Sequence, residues 1–310
     1  MNAYLPSRAA LALAATVVLW ASAFPAISVG VEGLGVAGLS MARLGVASAA
    51  LALVAPLLGV RRPRRRDAGA ILLCGAAGMS AYQLLLNWGE LHVAAGTASI
   101  LVATAPVFSV LLAAGSLGER LTTRVIAGST IALAGVAVIA VAGGRAGVSA
   151  SAVAVLAAAA VQGTYHFASK PLLARYRGLE VACYAMWSGT LMLAPLAPWA
   201  IRDAGAASPR ALVAAAYLGL LPSALGFVTW GYAVARLSVA RSTAALYLVP
   251  PVAVAVAFVW LGEVPTPAAA AGGAVAIVGV VLIQRNLSLD ITRIIVRGRK
   301  RRQMVDRPVP

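Results

Sequence analysis

Along this chain, stretches of about 20 apolar residues alternate with short polar connections from one end to the other. A helix rises about 1.5 Å per residue, so some 20 such residues cover the roughly 30 Å hydrocarbon core of a bilayer. The pattern predicts ten transmembrane helices, roughly at 9–30, 36–59, 68–88, 93–117, 123–143, 149–170, 179–201, 211–233, 237–261 and 267–285. The connections are too short for a soluble domain. The expected fold class is therefore an all-α integral membrane protein, embedded as one unit. The first 25 residues have the outline of a secretory signal, with Arg8, an apolar stretch and Ala21-Ser22-Ala23. Removing them would leave nine helices and break the repeat described below, so this segment is read as the first span.

Composition agrees with that reading. The 310 residues are 61% hydrophobic and 11% charged, with a mean hydropathy of +0.91. A soluble domain of this length cannot hide so much apolar surface and keep a polar exterior. The net charge of +16 raises the question of a nucleic-acid partner. With ten spans and a cytoplasmic N-terminus, every Lys and Arg falls on the cytoplasmic side except Arg43, Arg145, Arg202 and Arg210. The densest internal cluster is the RRPRRR of 61–66. Such asymmetry is the positive-inside rule, and it accounts for the charge with no nucleic acid. It predicts a multi-pass protein of a bacterial-type inner membrane with both termini cytoplasmic. The basic tail, with GRKRR at 298–302, is too polar to span and suits anionic lipid headgroups. Cys74 and Cys183 fall inside predicted spans, where they behave as small buried apolar groups. They predict neither a disulfide nor a metal site, and no cofactor is expected.

Offset by 144 residues, the chain matches itself without gaps, 92–139 on 236–283. The matches that an Ala-rich sequence does not produce cheaply are Pro106/Pro250, Leu117-Gly118-Glu119/Leu261-Gly262-Glu263, Gly128/Gly272 and Gly135/Gly279. The chain thus divides into a first repeat at 1–145, a second at 146–286 and a tail at 287–310. Each repeat holds five predicted spans. An odd number makes the second copy enter the membrane from the opposite side, and inverted repeats of this kind are a signature of secondary transport.

These residues are also where a family resemblance enters. Trp20-Ala21-Ser22-Ala23-Phe24, Arg43, the run from Ala98-Ser99 through Pro106 to Leu117-Gly118-Glu119-Arg120-Leu121, and its partner from Ser242-Thr243 through Pro250 to Leu261-Gly262-Glu263 resemble the drug/metabolite transporter superfamily, in particular its EamA-type ten-span members. The resemblance covers about residues 8 to 285. It implies cytoplasmic termini, a central cavity between the halves, and often export of amino acids or related metabolites. Arg241, where the family pattern has a small residue, and the long basic tail depart from it. No short motif identifies the cargo.

Polar groups inside hydrocarbon are costly, so each one within a span is a functional candidate. Trp20 falls near the centre of span 1 and has no interface to anchor, which marks it, with Ser22 and Phe24, as lining a cavity. Arg43 lies within span 2 and has either to snorkel or to find partners. Span 3 offers Tyr82 and Gln83, span 4 Ser99, and span 9 Thr243 and Tyr247. On span 6, Gln162 and His166 are four apart and share a face, with Tyr165 beside them; His166 is the one intramembrane side chain expected to titrate near neutral pH. These twelve residues are the candidates for contact with a small-molecule substrate, against the alternative of hydrogen bonds between helices. Pro106 and Pro250, at mid-span, are candidate hinges. Trp88, Trp230 and Tyr232 lie near span ends and read as an interfacial belt. The four repeated glycines, seven apart in pairs, read as helix-packing positions. Glu119 and Glu263 read as partners of basic groups or of the next helix start.

All nine Asp and Glu fall in loops, at span ends or in the tail, so coupling through an intramembrane carboxylate is not expected. A membrane-embedded enzyme would need a catalytic cluster that two His and no mid-membrane carboxylate cannot build. A non-transporting scaffold or receptor is the other alternative, against which the inverted repeat argues.

Overall fold

The computed structural model describes residues 8–117, 123–142, 150–234, 236 and 245–282. Among these there is helix and no strand. Five helical runs are long and apolar enough to cross a membrane. They are α1 (Arg8–Val54), α2 (Arg65–Gly89), α6 (Ala150–Leu173), α7 (Gly178–Ala206) and α8 (Pro209–Ala233). Shorter helices complete the bundle: α3 (Ala95–Val102), α4 (Ala105–Leu117), α5 (Thr123–Ala142), α9 (Leu246–Leu261) and α10 (Pro267–Leu282).

The 47 residues of α1 are about 70 Å of helix, twice what one crossing needs. The run breaks at Gly35, whose φ of 63° and ψ of 177° lie in a region essentially reserved for glycine. Beyond the break the chain folds back, and Leu39 packs directly on Gly30. The second arm ends at Gly59, again left-handed, where the Val60 N–H closes onto the Ala55 carbonyl in the manner of a Schellman cap.

Two helices carry a π-helical segment, Gly75–Ala81 in α2 and Gly219–Leu225 in α8. These segments are 144 residues apart, the offset of the sequence repeat. The same offset relates α4 to the α-helical part of α9, Val249–Leu261. It also relates the two sides of the α5–α10 crossing. A Cβ on Gly135 would strike the Gly272 carbonyl and the Ala276 backbone; one on Gly279 would strike the Gly128 carbonyl and the Ala132 backbone.

The expected continuous span at 93–117 is interrupted. Ala103 and Thr104 form a turn between α3 and α4, so Pro106 stands in the first turn of α4 rather than in the middle of a helix. Pro250 stands likewise at the start of the α-helical part of α9, after a 3-10 turn at Leu246–Leu248. A first-turn proline breaks no helical hydrogen bond, which is why both are accommodated. Glu263 does not take the capping role expected of it. Its Oε2 has no hydrogen-bond partner, and Thr266 accepts from Ala269 N at the start of α10 instead. Glu119 lies outside the described residues.

At one end of the bundle, charged side chains tie the start of α2 to the start of α7. Glu180, with no exposed surface, accepts from Arg61 Nε at 2.8 Å, Arg61 Nη2 at 3.1 Å, Arg61 N at 3.2 Å and Arg177 N at 2.7 Å. The hydrogen bond to Glu180 raises the pKa of the Arg61 guanidinium further. Asp67 is paired with Arg175 at 2.6 Å and accepts from Tyr176 Oη at 2.6 Å.

Candidate functional site

A cavity opens inside the bundle, lined by α1 to α4 and by α6, α8 and α9. Its volume for the centres of water molecules is about 90 Å³. A cavity needs about 10–15 Å³ on that measure to admit one water, so the space is roomy enough for several waters or one small metabolite. A single amino acid is a molecule of that class.

Helical spacing explains which side chains reach it. Trp20, Phe24 and Ile27 form one face of the first arm of α1; Tyr82 and Leu86 are four apart on α2; Gln162 and His166 are four apart on α6. Ser99 and Val102 of α3, then Ala103, Ala105 and Pro106 at the break, continue the wall. Arg43 comes from the second arm of α1, Phe227 from α8, and Leu246, Tyr247 and Val249 from the start of α9.

Of the candidates from sequence, Trp20, Phe24, Arg43, Tyr82, Ser99, Gln162, His166 and Tyr247 therefore meet in one space, with Pro106 at its edge. Ser22, Gln83 and Tyr165 do not line it, since the rotation of their helices turns these side chains to other neighbours. Ser22 Oγ instead lies 2.6 Å from Tyr217 Oη. Gln83 is buried, with Oε1 unpartnered. Tyr165 fills the space over Gly78, where a Cβ would collide with its ring. Pro250 is buried without lining the cavity, and Thr243 lies outside the described residues.

The π segment of α8 holds two of the lining side chains. The Pro222 carbonyl accepts from Trp20 Nε1 at 3.1 Å, and Ser223 Oγ accepts from Arg43 Nε at 2.8 Å. The Trp20 ring is flanked by Phe227 at 5.3 Å and by Trp230 at 5.4 Å between centroids. Trp230 thus packs on a cavity aromatic and is not a lone interfacial anchor, because tertiary packing turns its ring toward α1. Trp88 remains 43% exposed. Gly226 leaves the room that Trp20 occupies: a Cβ there would lie 2.7 Å from its Nε1. On α6, Gln162 Nε2 and His166 Nε2 are 3.5 Å apart. Tyr247 Oη donates to the Val280 carbonyl at 3.3 Å, which ties α9 to α10.

Sequence reasoning did not select Ile27, Leu86, Val102, Leu246 or Val249. An apolar lining residue and a lipid-facing one are the same residue type. The available signal was register, because Ile27 and Leu86 fall on the faces already marked by Trp20, Phe24 and Tyr82. Glu90 also departs from expectation. It follows the end of α2 as read, yet protein covers it; Ser28 donates to its Oε2 at 3.1 Å, while Oε1 has no partner. No group of three or more His, Cys, Asp or Glu able to hold a metal ion occurs among the described residues.

Comparison with known proteins adds identity to this geometry. The EamA-like transporter family matches the chain twice, over residues 7–141 and 149–285. A probable terminal-alkyne amino-acid exporter of Streptantibioticus cattleyicolor is 68% identical over 279 residues, which are 90% of this chain and 94% of that protein. YdfC of Bacillus subtilis, an uncharacterized transporter, is 35% identical over 84% of this chain and 86% of its own. One crystal structure shares the fold at 21% identity and a TM-score of 0.59, covering 88% of this chain and 94% of that one. With two family matches that between them cover most of its length, the chain belongs to the EamA-like transporter family and is a membrane transporter rather than an enzyme.

Proposed function

We propose that this protein exports amino acids with apolar side chains across the inner membrane, by alternating access of two inverted five-helix repeats, 1–145 and 146–286, around the central cavity. The observation that carries this reading is the cavity itself. It has room for one small metabolite, its walls come from both repeats, and they are mostly aromatic and aliphatic with a few polar groups. The cargo class follows the 68%-identical relative, whose name specifies terminal-alkyne amino acids.

Alternating access between inverted repeats requires each half to be able to adopt the other's conformation. Two π segments 144 residues apart support that symmetry. So does the reciprocal glycine crossing of α5 and α10, in which exchanging the halves exchanges the contacts, as at a two-fold interface. Pro106 and Pro250, at equivalent helix starts, would serve as hinges, and the eight candidates that line the cavity, Trp20 and Arg43 among them, would contact cargo.

The test is transport in proteoliposomes of the purified full chain with radiolabelled 2-aminopent-4-ynoate, a terminal-alkyne amino acid. Uptake above protein-free liposomes, reduced by excess leucine or norvaline and not by aspartate, is the expected result. Uptake no faster than through protein-free liposomes would overturn the reading.

A further inference from the structure

Two of the residues that line the cavity each carry a buried polar atom with no hydrogen-bond partner among the described residues, and the two atoms are of opposite kinds. One is a donor, Nη1 of Arg43, a residue 4% exposed. The other is an acceptor, Oε1 of Gln162, a residue 7% exposed. Arg43 is held from behind by Ser223 through Nε, and it makes no ion pair among the described residues. The buried carboxylate of Glu90 attracts it electrostatically but takes its hydrogen bond from Ser28 and makes no contact pair with Arg43. A guanidinium buried with no carboxylate in contact is costly, and so is an amide oxygen buried without a donor. A ligand that supplies a carboxylate to the first and an ammonium to the second removes both costs at once. An α-amino acid carries both groups on one carbon.

Resting on the amino-acid reading above, we infer that Arg43 and Gln162 form a clamp for the zwitterionic end of the cargo, Arg43 receiving the carboxylate and Gln162 Oε1 the ammonium. Trp20, Phe24, Ile27 and Phe227 then take the apolar side chain. Arg43 belongs to α1 and Gln162 to α6, so one bound molecule links the two halves of the chain. This clamp selects for both charged groups of the cargo and is indifferent to the chemistry of its tail beyond size and apolarity. A guanidinium suits a carboxylate through paired N–H donors, which a lysine does not reproduce.

The experiment measures binding of four probes to the intact full chain in detergent by calorimetry: 2-aminopent-4-ynoate, its methyl ester, its N-acetyl derivative and pent-4-ynoate. The amino acid is expected to bind at least tenfold more tightly than each of the other three. This comparison uses only the natural protein, so it does not depend on a variant folding. Arg43→Lys should reduce the preference for acid over ester while keeping that for the free amine over the N-acetyl form. Gln162→Leu should do the reverse. Equal binding of acid and ester by the natural protein would overturn the role of Arg43, and equal binding of free and acetylated amine that of Gln162. If the amino acid is transported in proteoliposomes but the four probes bind alike, the clamp is wrong and the transport reading stands. If pent-4-ynoate alone binds and no amino acid is transported, the carboxylate anchor stands and the amino-acid reading falls.

Discussion

At Glu180 a carboxylate with no exposed surface accepts two backbone N–H groups, from Arg61 and Arg177, besides the Arg61 guanidinium. Glu180→Ala strands those N–H groups as well as deleting the ion pair, a loss of about 2–4 kcal/mol on the scale of orphaned polar groups. Arg61→Ala removes a side chain that is 65% exposed and leaves both backbone bonds in place, so its effect is the smaller of the two. Thermal unfolding of the full chain in detergent should rank Glu180→Ala well below Arg61→Ala. An equal loss in both variants would mean that the ion pair, not the backbone bonds, holds this end together. The sequence reads Arg61 as one of a cluster of cytoplasmic charges; that it meets Glu180, 119 positions away, follows only from folding.

Among the elements, α5 and α10 approach most closely where glycine replaces a side chain. A Cβ on Gly135 meets backbone atoms of Gly272 and Ala276, which cannot rotate away as a side-chain tip can. Gly135→Ala should therefore push the two helices apart, at about 1–3 kcal/mol as for other overpacked contacts. Gly115, also helical, has nothing within 4 Å of its missing Cβ. There alanine should be neutral or stabilise by up to about 1 kcal/mol through helix propensity. Opposite shifts in unfolding temperature for the two variants are the expected outcome; a loss at Gly115 matching that at Gly135 would show that the crossing is not the cause. Helix packing at these glycines was legible from their spacing. The π segments were not, because Gly75–Ala81 and Gly219–Leu225 read as ordinary apolar stretches of a span until a partner such as Arg43 or Trp20 is seen against one of them.

For the whole molecule, the positive-inside pattern and the ion pairs bear on one topology. Arg61 and Asp67, on either side of the start of α2, meet Glu180 and Arg175, on either side of the start of α7, so these two helix starts share a side. The reading of basic loops as cytoplasmic puts that side, and both termini, inside. The described native cysteines, Cys74 and Cys183, are buried, which leaves single introduced cysteines as the reactive sites. Arg62→Cys should react with a membrane-impermeant maleimide only after permeabilisation, whereas Arg202→Cys should react in intact cells. Labelling of Arg62→Cys in intact cells would invert the orientation.

The periodicity of apolar runs by itself determined that the chain is helical and apolar enough for a bilayer, because length and hydropathy are local properties. The offset of 144 likewise exposed the repeat and the equivalent prolines. What only the tertiary structure decided is which polar residues face inward together. Trp20 and Ser22 are two positions apart on one helix, yet one lines the cavity and the other meets Tyr217. Arg43 lines the same space with its Nε held by Ser223 of α8, 180 positions away. A sequence states how side chains are arranged around one helix axis; the rotation of each helix toward its neighbours is set by packing among all of them.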